Sequence, residues 1–151
     1  MIDINYSKYK PNLKLKKEED KHYIFDPIRQ KYLVLQPEEV VRQLVLQYLI
    51  KEKGYKKTHL RTEMMLTINT RRKRCDILAF DNATKPWLLV ECKAAYVPIS
   101  QDTFDQIARY NLTLGVEYLM LTNGLMTYCC KMNHDLETYD FLEEVPDYST
   151  V

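Results

Sequence analysis

Two carboxylates and a lysine have a spacing that could support hydrolysis of a phosphodiester bond. Asp76 lies in the apolar run 75–80, and Glu91 and Lys93 lie at the end of the run 87–93. Because both runs are rich in β-forming residues and a polar, proline-containing stretch separates them, the pattern predicts a strand hairpin. Side chains alternate between the faces of a strand, so Glu91 and Lys93 should share one face, beside Asp76. Placing charged groups together in a buried strand is costly, which indicates a chemical role.

Divalent-metal chemistry would explain this grouping. Mg²⁺ prefers hard oxygen ligands and retains several waters, so two carboxylates and one backbone carbonyl are enough to hold it. We expect Asp76 and Glu91 to supply the carboxylates and the Cys92 carbonyl to supply the third oxygen. Lys93 would orient the attacking water or stabilise the developing negative charge. The spacing alone fits a surface ion-pair group at the end of a sheet about equally well.

A first helix is predicted from Pro37, which suits the first turn, and Gly54 ends it. Its apolar positions form a stripe typical of a helix packed on a core. At about 100° per residue, Glu38 falls on that stripe whereas Glu39 turns away from it. A carboxylate at such a position is either a helix-end charge or a ligand.

A second helix is predicted from Ser100, a suitable N-cap, to about Leu114. Gln106 and Tyr110 are four residues apart in it and therefore share a face. By itself this pair would indicate only an ordinary amphipathic helix.

The remaining pattern indicates an α/β fold. Further strands are expected at residues 22–25, 31–35, 60–68, 116–121, 125–132 and 139–142. The Asn-Gly pair at 123–124 predicts a hairpin turn. The order of helix, three strands, helix and two strands favours a central mixed β-sheet flanked by helices. We expect residues 1–21 to form a basic N-terminal arm or lead-in and residues 22–151 to form a single domain.

Composition limits the classes of function. Lys and Arg number 22 against 21 Asp and Glu, which argues against binding nucleic acid mainly through counterion release. A local basic cluster, including Arg71, Arg72 and Arg74, nevertheless directly precedes Asp76 and could contact nucleic acid, although a charged turn would look the same. The sequence lacks a membrane-spanning run, a signal-peptide core and zinc-ligand spacing. These features predict reduced thiols and a cytoplasmic location.

Taken together, the motifs resemble the PD-(D/E)XK nuclease superfamily. More closely, the chain is similar to the N-terminal nuclease domain of type I restriction enzyme R subunits. The resemblance rests on Asp76, on Glu-Cys-Lys at 91–93 and on Gln106-x-x-x-Tyr110, with further similarity at 37–43 and 121–124. It covers roughly residues 25–145 and implies a restriction-endonuclease-like three-layer core.

The resemblance also implies roles for individual residues. Asp76 and Glu91 would bind Mg²⁺, for which Mn²⁺ could substitute, and Lys93 would be catalytic. Gln106 and Tyr110 would hold DNA or order the catalytic residues. In this family an acidic residue of the first helix often completes the metal shell, and the spacing to Arg42 favours Glu38 over Glu39 for that role.

Two function classes follow. The first is a Mg²⁺-dependent DNA endonuclease, and the alternative is a non-catalytic nucleic-acid-binding or regulatory module of a restriction or repair complex. An RNA substrate is not distinguished from DNA by any residue. Expected partners are DNA and restriction-modification or repair proteins, and cutting both strands with one site per chain would favour a homodimer or two sequential nicks. The sequence contains no Gly-x-x-x-x-Gly-Lys-Ser/Thr loop, so we expect no translocase motor in it.

Overall fold

The computed structural model describes residues 1–68 and 70–148, apart from five side chains that lie outside the description: those of Ile68, Arg71, Lys73, Tyr110 and Thr113. The described chain contains two α-helices, α1 (Pro37–Lys51) and α2 (Gln101–Asn111). Short 3₁₀ helices lie at Tyr6–Asn12, Lys57–His59 and Leu112–Leu114. None of the helices within these ranges is long and apolar enough to cross a membrane.

Six strands form the central sheet. In spatial order they are β4 (Leu60–Ile68), β5 (Arg71–Phe80), β6 (Pro86–Cys92), β7 (Tyr118–Thr122), β8 (Thr127–Asn133) and β9 (Thr138–Phe141). All neighbouring pairs are antiparallel except β6 and β7, which are parallel. A parallel pair needs a crossover connection, and α2 provides it. The predicted mixed sheet is therefore confirmed.

The two helices cover opposite faces of this sheet. Along β6, Leu88 and Val90 belong to the core cluster under α1, whereas Leu89 between them belongs to the cluster under α2. Within these clusters, α1 buries Val45 and α2 buries Phe104, both fully. This alternation gives β6 apolar side chains on both faces, as expected for a strand buried on both sides.

The N-terminal segment differs from the sequence prediction of an arm or irregular lead-in. Tyr6 and Tyr9 are 2% and 6% exposed and pack edge to face on Tyr48 of α1, with ring centroids 5.5 and 6.3 Å away. Residues three apart in a 3₁₀ helix lie on one side, so both rings reach the core while the neighbouring lysines face solvent. Lysine content alone could not reveal this spacing.

A small sheet follows and is joined to the central sheet by one buried carboxylate. Its strands are β1 (Leu15–Glu18), β2 (Lys21–Asp26) and β3 (Lys31–Val34), all antiparallel. Asp26, which is fully buried, accepts a hydrogen bond from Thr62 Oγ1 of β4 at 2.7 Å. The same carboxylate accepts hydrogen bonds from the backbone N–H of Ile28 and from both the backbone N–H and Nε of Arg29.

The predicted hairpin of residues 75–80 and 87–93 is confirmed as β5 and β6, with a register shift at Ala79/Phe80. Strand β8 begins two residues later than predicted because the preceding turn is longer than an Asn-Gly pair. Asn123 Oδ1 accepts hydrogen bonds from the N–H groups of Leu125 and Met126, which draws both residues into the turn. Gly124 has a φ of +87°, a conformation that favours glycine.

Candidate active site

Asp76 lies at the junction of three elements. Its Oδ2 accepts a hydrogen bond from the backbone N–H of Cys92 in β6 at 2.8 Å, and its Oδ1 accepts one from Arg42 Nη2 of α1 at 2.8 Å. The Cys92 N–H is a backbone donor, so it holds the carboxylate in one orientation against the next strand. The side chain of Asp76 is 14% exposed, which leaves it accessible from one side.

Near Asp76, the regular alternation of β5 side chains between the two faces of the sheet is interrupted. Ile77 belongs to the core cluster under α1, but Cys75, two residues earlier, belongs to the cluster under α2. Glu63 in β4 falls opposite Asp76, between the pairs on either side. It has a φ of +52°, a left-handed conformation that costs a non-glycine residue roughly 1–3 kcal/mol. This distortion allows the carboxylates of both Glu63 and Asp76 to reach Arg42.

Arg42 is the cationic centre of the site and is only 4% exposed. Its Nη1 lies 2.5 Å from Glu39 Oε1. Its Nη2 lies 2.5 Å from Glu63 Oε1, 2.8 Å from Asp76 Oδ1 and 3.5 Å from Glu38 Oε1. Burial alone would lower the pKa of Arg42, but the hydrogen bond to Asp76 and the charge of Glu39 raise that pKa above its usual range. The arginine is therefore permanently charged and neutralises part of a cluster of four carboxylates.

The contacts of Arg42 are spread over its partners. Glu39, Glu63 and Asp76 each receive one close contact and Glu38 a longer one, rather than the two parallel hydrogen bonds that arginine commonly makes with a single acid. Arg42 Nε is buried and has no hydrogen-bond partner within residues 1–68 and 70–148. Such a donor costs about 1–3 kcal/mol.

The two glutamates of the first helical turn exchange their predicted positions. Glu39 is 8% exposed, whereas the side chain of Glu38 is 48% exposed. The predicted burial of Glu38 and exposure of Glu39 are therefore wrong. The helical-wheel argument assumed one buried stripe, but the loop carrying Arg29 covers a second side of α1, with Arg29 Nη2 3.7 Å from Glu39 Oε1.

Glu38 nevertheless belongs to the electrostatic field of the site. Partial burial, followed by repulsion from Asp76, raises the pKa of its carboxyl group, while Arg42 and Lys93 oppose the shift. The charges of Asp76, Lys93 and Glu63 are thus all close enough to influence Glu38. A proton, or another cation, at this carboxylate would relieve the repulsion between acids.

The Glu-Cys-Lys segment lies where β6 ends. Glu91 is 8% exposed, and Lys93 is partly buried just beyond the strand. The backbone N–H of Lys93 donates to the Thr122 carbonyl of β7 at 2.9 Å, a bond that belongs to the last parallel pair, Cys92 with Thr122. Burial, and then the neighbouring charge of Asp76, raise the pKa of the Cys92 thiol well above its usual value, so it stays neutral. Cys92 therefore contributes its backbone rather than a thiolate.

The oxygen donors predicted to bind Mg²⁺ are neighbours in sequence and strand, but they do not converge on one point in this conformation. Across residues 1–68 and 70–148, no group of three or more histidine, cysteine, aspartate or glutamate side chains is arranged to hold a metal ion. At Asp76 Oδ1 the described partner is a cation of the protein itself, the guanidinium of Arg42 at 2.8 Å. The assignment of Asp76, Glu91, the Cys92 carbonyl and Glu38 as ligands stays a prediction.

The predicted nucleic-acid contacts lie on strand β5 and helix α2. Gln106 is exposed on α2, and Arg72 and Arg74 are exposed on β5. Arg74 Nη1 lies 3.5 Å from Glu63 Oε2, so it adds positive charge at the edge of the acidic cluster. The side chains of Arg71 and Tyr110 lie outside the described residues. A surface cleft of about 630 Å³ lies elsewhere and contains none of the predicted site residues.

Sequence reasoning missed two residues of the cluster. Arg42 served only as a marker of spacing, and Glu63 only as a member of a strand. The first turn of α1 held a signal for Arg42, since Glu38 and Glu39 lie four and three residues before it and could pair with it. No feature of the sequence pointed to Glu63. Its position depends on a positive φ, which is not expected for a glutamate.

Comparisons with known proteins agree with this architecture. The family "Type I restriction enzyme R protein N terminus (HSDR_N)" matches residues 37–146. A solved fragment structure assigned to an HsdR subunit of a type I restriction enzyme from Vibrio vulnificus is similar in fold, with a TM-score of 0.53 and 20% sequence identity. That match covers 76% of this chain but only 24% of the other chain. No curated protein sequence matches significantly. Because the family match extends over most of the sequence, this chain belongs to the family of type I restriction enzyme R protein N termini.

Proposed function

We propose that this chain is a metal-dependent endonuclease domain of the PD-(D/E)XK type that hydrolyses phosphodiester bonds in DNA. Family membership supports a nuclease-related role. The observation that carries the proposal is the placement of Asp76, whose Oδ2 is fixed by the Cys92 N–H beside the Glu91–Lys93 segment. A carboxylate whose orientation is fixed by a backbone donor is suited to catalysis, because its position is set before substrate arrives.

The donor types fit Mg²⁺ or Mn²⁺, since carboxylate and carbonyl oxygens are the ligands these ions prefer. Asp76, Glu91 and the Cys92 carbonyl would hold the ion, with Glu38 or Glu39 completing its shell. Arg42 contacts Asp76 Oδ1 in this structure and would have to give way. When bound, the metal would neutralise phosphate charge and favour deprotonation of the attacking water.

The remaining residues would act on the water and the substrate. Lys93 would orient the attacking water and stabilise negative charge that develops on the phosphate. Positive, amide and aromatic side chains on β5 and α2 would contact the DNA backbone and order the site: Arg71, Arg72, Arg74, Gln106 and Tyr110. The exposure of Arg72 and Arg74 supports this role, because phosphate contacts need solvent-facing cations.

The biological setting proposed here is a restriction-modification or repair complex acting on DNA. The chain spans about a quarter of the solved HsdR relative, so other activities of such a protein are not assigned to it. Cleavage of both strands would take two sequential nicks by one site, or two sites that a homodimer would supply through a symmetric interface.

The test is cleavage of supercoiled, linear and single-stranded DNA and of RNA, with Mg²⁺, Mn²⁺ or a chelator. We expect metal-dependent nicking of DNA by the wild-type chain and a loss of about 100-fold or more in Asp76→Ala and Lys93→Ala. Asp135→Ala and Lys17→Ala are matched controls, because both residues are exposed and lie outside the proposed site. Circular dichroism would verify that all four variants fold.

The outcomes separate the candidate functions. Equal cleavage by wild type, Asp76→Ala and Lys93→Ala would reject this site. Cleavage confined to RNA would show that the substrate is RNA instead of DNA. If no variant cleaves but all bind DNA equally, the chain is a non-catalytic binding or regulatory module.

A further inference from the structure

The acidic cluster contains its own cation. Arg42 Nη2 stands 2.8 Å from Asp76 Oδ1 and 2.5 Å from Glu63 Oε1. These are the distances of close ion pairs, and the guanidinium is almost completely removed from solvent. Arg42 therefore compensates the charge of converging carboxylates, which is also what a bound metal ion would do.

We propose that Arg42 and a divalent cation compete for Asp76, so that metal binding requires Arg42 Nη2 to leave Asp76 Oδ1. This inference rests on the proposed function for the identity of Asp76 as a metal ligand. Oδ2 accepts a hydrogen bond from the Cys92 N–H and Oδ1 accepts one from Arg42, so a metal ion held by Oδ1 would meet the guanidinium on the same oxygen. Two positive centres on one oxygen would repel each other strongly in a poorly solvated site.

The pattern of contacts allows such an exchange. Arg42 contacts Asp76, Glu63 and Glu38 through Nη2 but contacts Glu39 through Nη1, so it can release Asp76 while it keeps Glu39. Its other terminal nitrogen, Nη1, lies 2.5 Å from Glu39 Oε1. Gln43 Nε2 donates to Glu39 Oε2 at 3.0 Å, which keeps Glu39 in place as a buried anchor for the arginine.

The exchange assigns different roles to the two glutamates at the start of α1. Glu39, buried and hydrogen-bonded, would retain Arg42 in both states. Glu38, half exposed and 3.5 Å from Arg42 Nη2, would lose a weaker contact and become available as an oxygen donor. Arg42 is therefore a positioning residue that keeps the acids together until an ion replaces it at Asp76.

The test is direct binding of Mn²⁺, measured without nucleic acid by electron paramagnetic resonance of the free ion. We expect Arg42→Gln to bind Mn²⁺ at least about tenfold more tightly than wild type, because one competing positive charge is gone. Adding Asp76→Asn should abolish this gain. Arg61→Gln is the matched control, since Arg61 is exposed and bonds only to backbone carbonyls among the described contacts, so it should bind like wild type.

Equal or weaker Mn²⁺ binding by Arg42→Gln would overturn the inference. If this variant does not fold without metal, Mn²⁺ should restore its circular dichroism spectrum, and failure to do so at saturating Mn²⁺ would also overturn it. Arg42→Lys gives a second measurement, because a lysine keeps the charge but cannot contact several acids at once. It should bind Mn²⁺ more tightly than wild type and less tightly than Arg42→Gln, and any other order counts against exchange.

Failure of this inference is separable from failure of the proposed function. If wild type and Arg42→Gln bind Mn²⁺ equally and DNA cleavage still needs Asp76, the nuclease assignment stands while the competition is rejected. If no variant binds Mn²⁺ and cleavage does not need Asp76, both proposals fail.

Discussion

Replacement of Asp26 by asparagine should be among the more damaging conservative substitutions in this chain. Its carboxylate is fully buried and joins the small N-terminal sheet to Thr62 of β4. Thr62 directly precedes Glu63 of the candidate site. Asparagine has nearly the same shape and retains one carbonyl oxygen. That oxygen can still accept from the N–H groups of Ile28 and Arg29, so the turn itself should persist.

The expected loss in the free energy of unfolding comes from the second carboxylate oxygen of Asp26. Asp26 Oδ2 accepts from Arg29 Nε at 2.9 Å and from Thr62 Oγ1 at 2.7 Å. An amide NH₂ in its place would face the Arg29 donor and lose that charge-assisted bond, whereas the Thr62 hydroxyl can rotate and accept. Hydrogen bonds to charged groups contribute about 1.5–3 kcal/mol, and breaking a buried pair costs about 3–5 kcal/mol. Since Arg29 is 24% exposed, we expect a loss of about 2–4 kcal/mol.

Urea unfolding at neutral pH would measure this loss, with Thr62→Val as the matched control. That variant removes one bond and leaves the Asp26–Arg29 pair intact, so it should lose only about 1–2 kcal/mol. A loss below about 1 kcal/mol in Asp26→Asn would refute the reasoning. Such a result would show that the Asp26 carboxylate stabilises the fold no more than an amide does.

The pH dependence provides a second check. Burial would raise the pKa of Asp26, but the hydrogen bonds from Thr62 and Arg29 outweigh it and lower the pKa from its usual 3.8. A lowered pKa in the folded state means that the stabilisation is present above pH 3.8 and is lost as the pH falls through the folded value. The stability difference between wild type and Asp26→Asn should therefore shrink below about pH 4. A difference that stayed constant down to pH 2 would contradict the assignment.

Two further predictions concern the seating of α2 on the sheet. Phe104→Ala should lose about 3–5 kcal/mol in urea unfolding, because the ring is fully buried among other aromatic rings, while Phe104→Leu should lose clearly less. Burial, and then the hydrogen bond to Asp105, raise the pKa of Tyr139 from 10.0 to about 12. Since a raised pKa stabilises the fold only while the group is protonated, the wild-type chain should lose stability between about pH 10 and 12, and Tyr139→Phe should show a smaller loss there. Equal slopes for both proteins in that window would exclude this role for Tyr139.

Local pattern was sufficient for much of the fold because each signal acts over a few residues. The two apolar runs around Asp76 and Glu91 predicted β5 and β6, and Ser100 marked the start of α2, where its hydroxyl accepts from the Thr103 N–H. The combination of Glu-x-Lys with the two helices also indicated the R-subunit N-terminal family, which the family match confirms.

The predictions failed where burial depended on a second packing surface. Glu39 is buried because the loop carrying Arg29 covers it, and Tyr6 is buried because it reaches Tyr48 in α1. In each case the covering residue is distant in sequence, so the periodicity of one segment could not reveal it.

The sequence by itself determined which groups are available for chemistry. Strand alternation and spacing placed an aspartate on one strand and a Glu-x-Lys at the end of the next, and these features depend only on backbone geometry. Only the tertiary structure decided which charge accompanies them. Arg42 and Asp76 are 34 residues apart, and they meet because α1 crosses the sheet where Glu63 takes a left-handed conformation. This contact depends on how whole elements pack. For that reason the motif of Asp76, Glu91 and Lys93 does not reveal that Arg42 is also part of the candidate site.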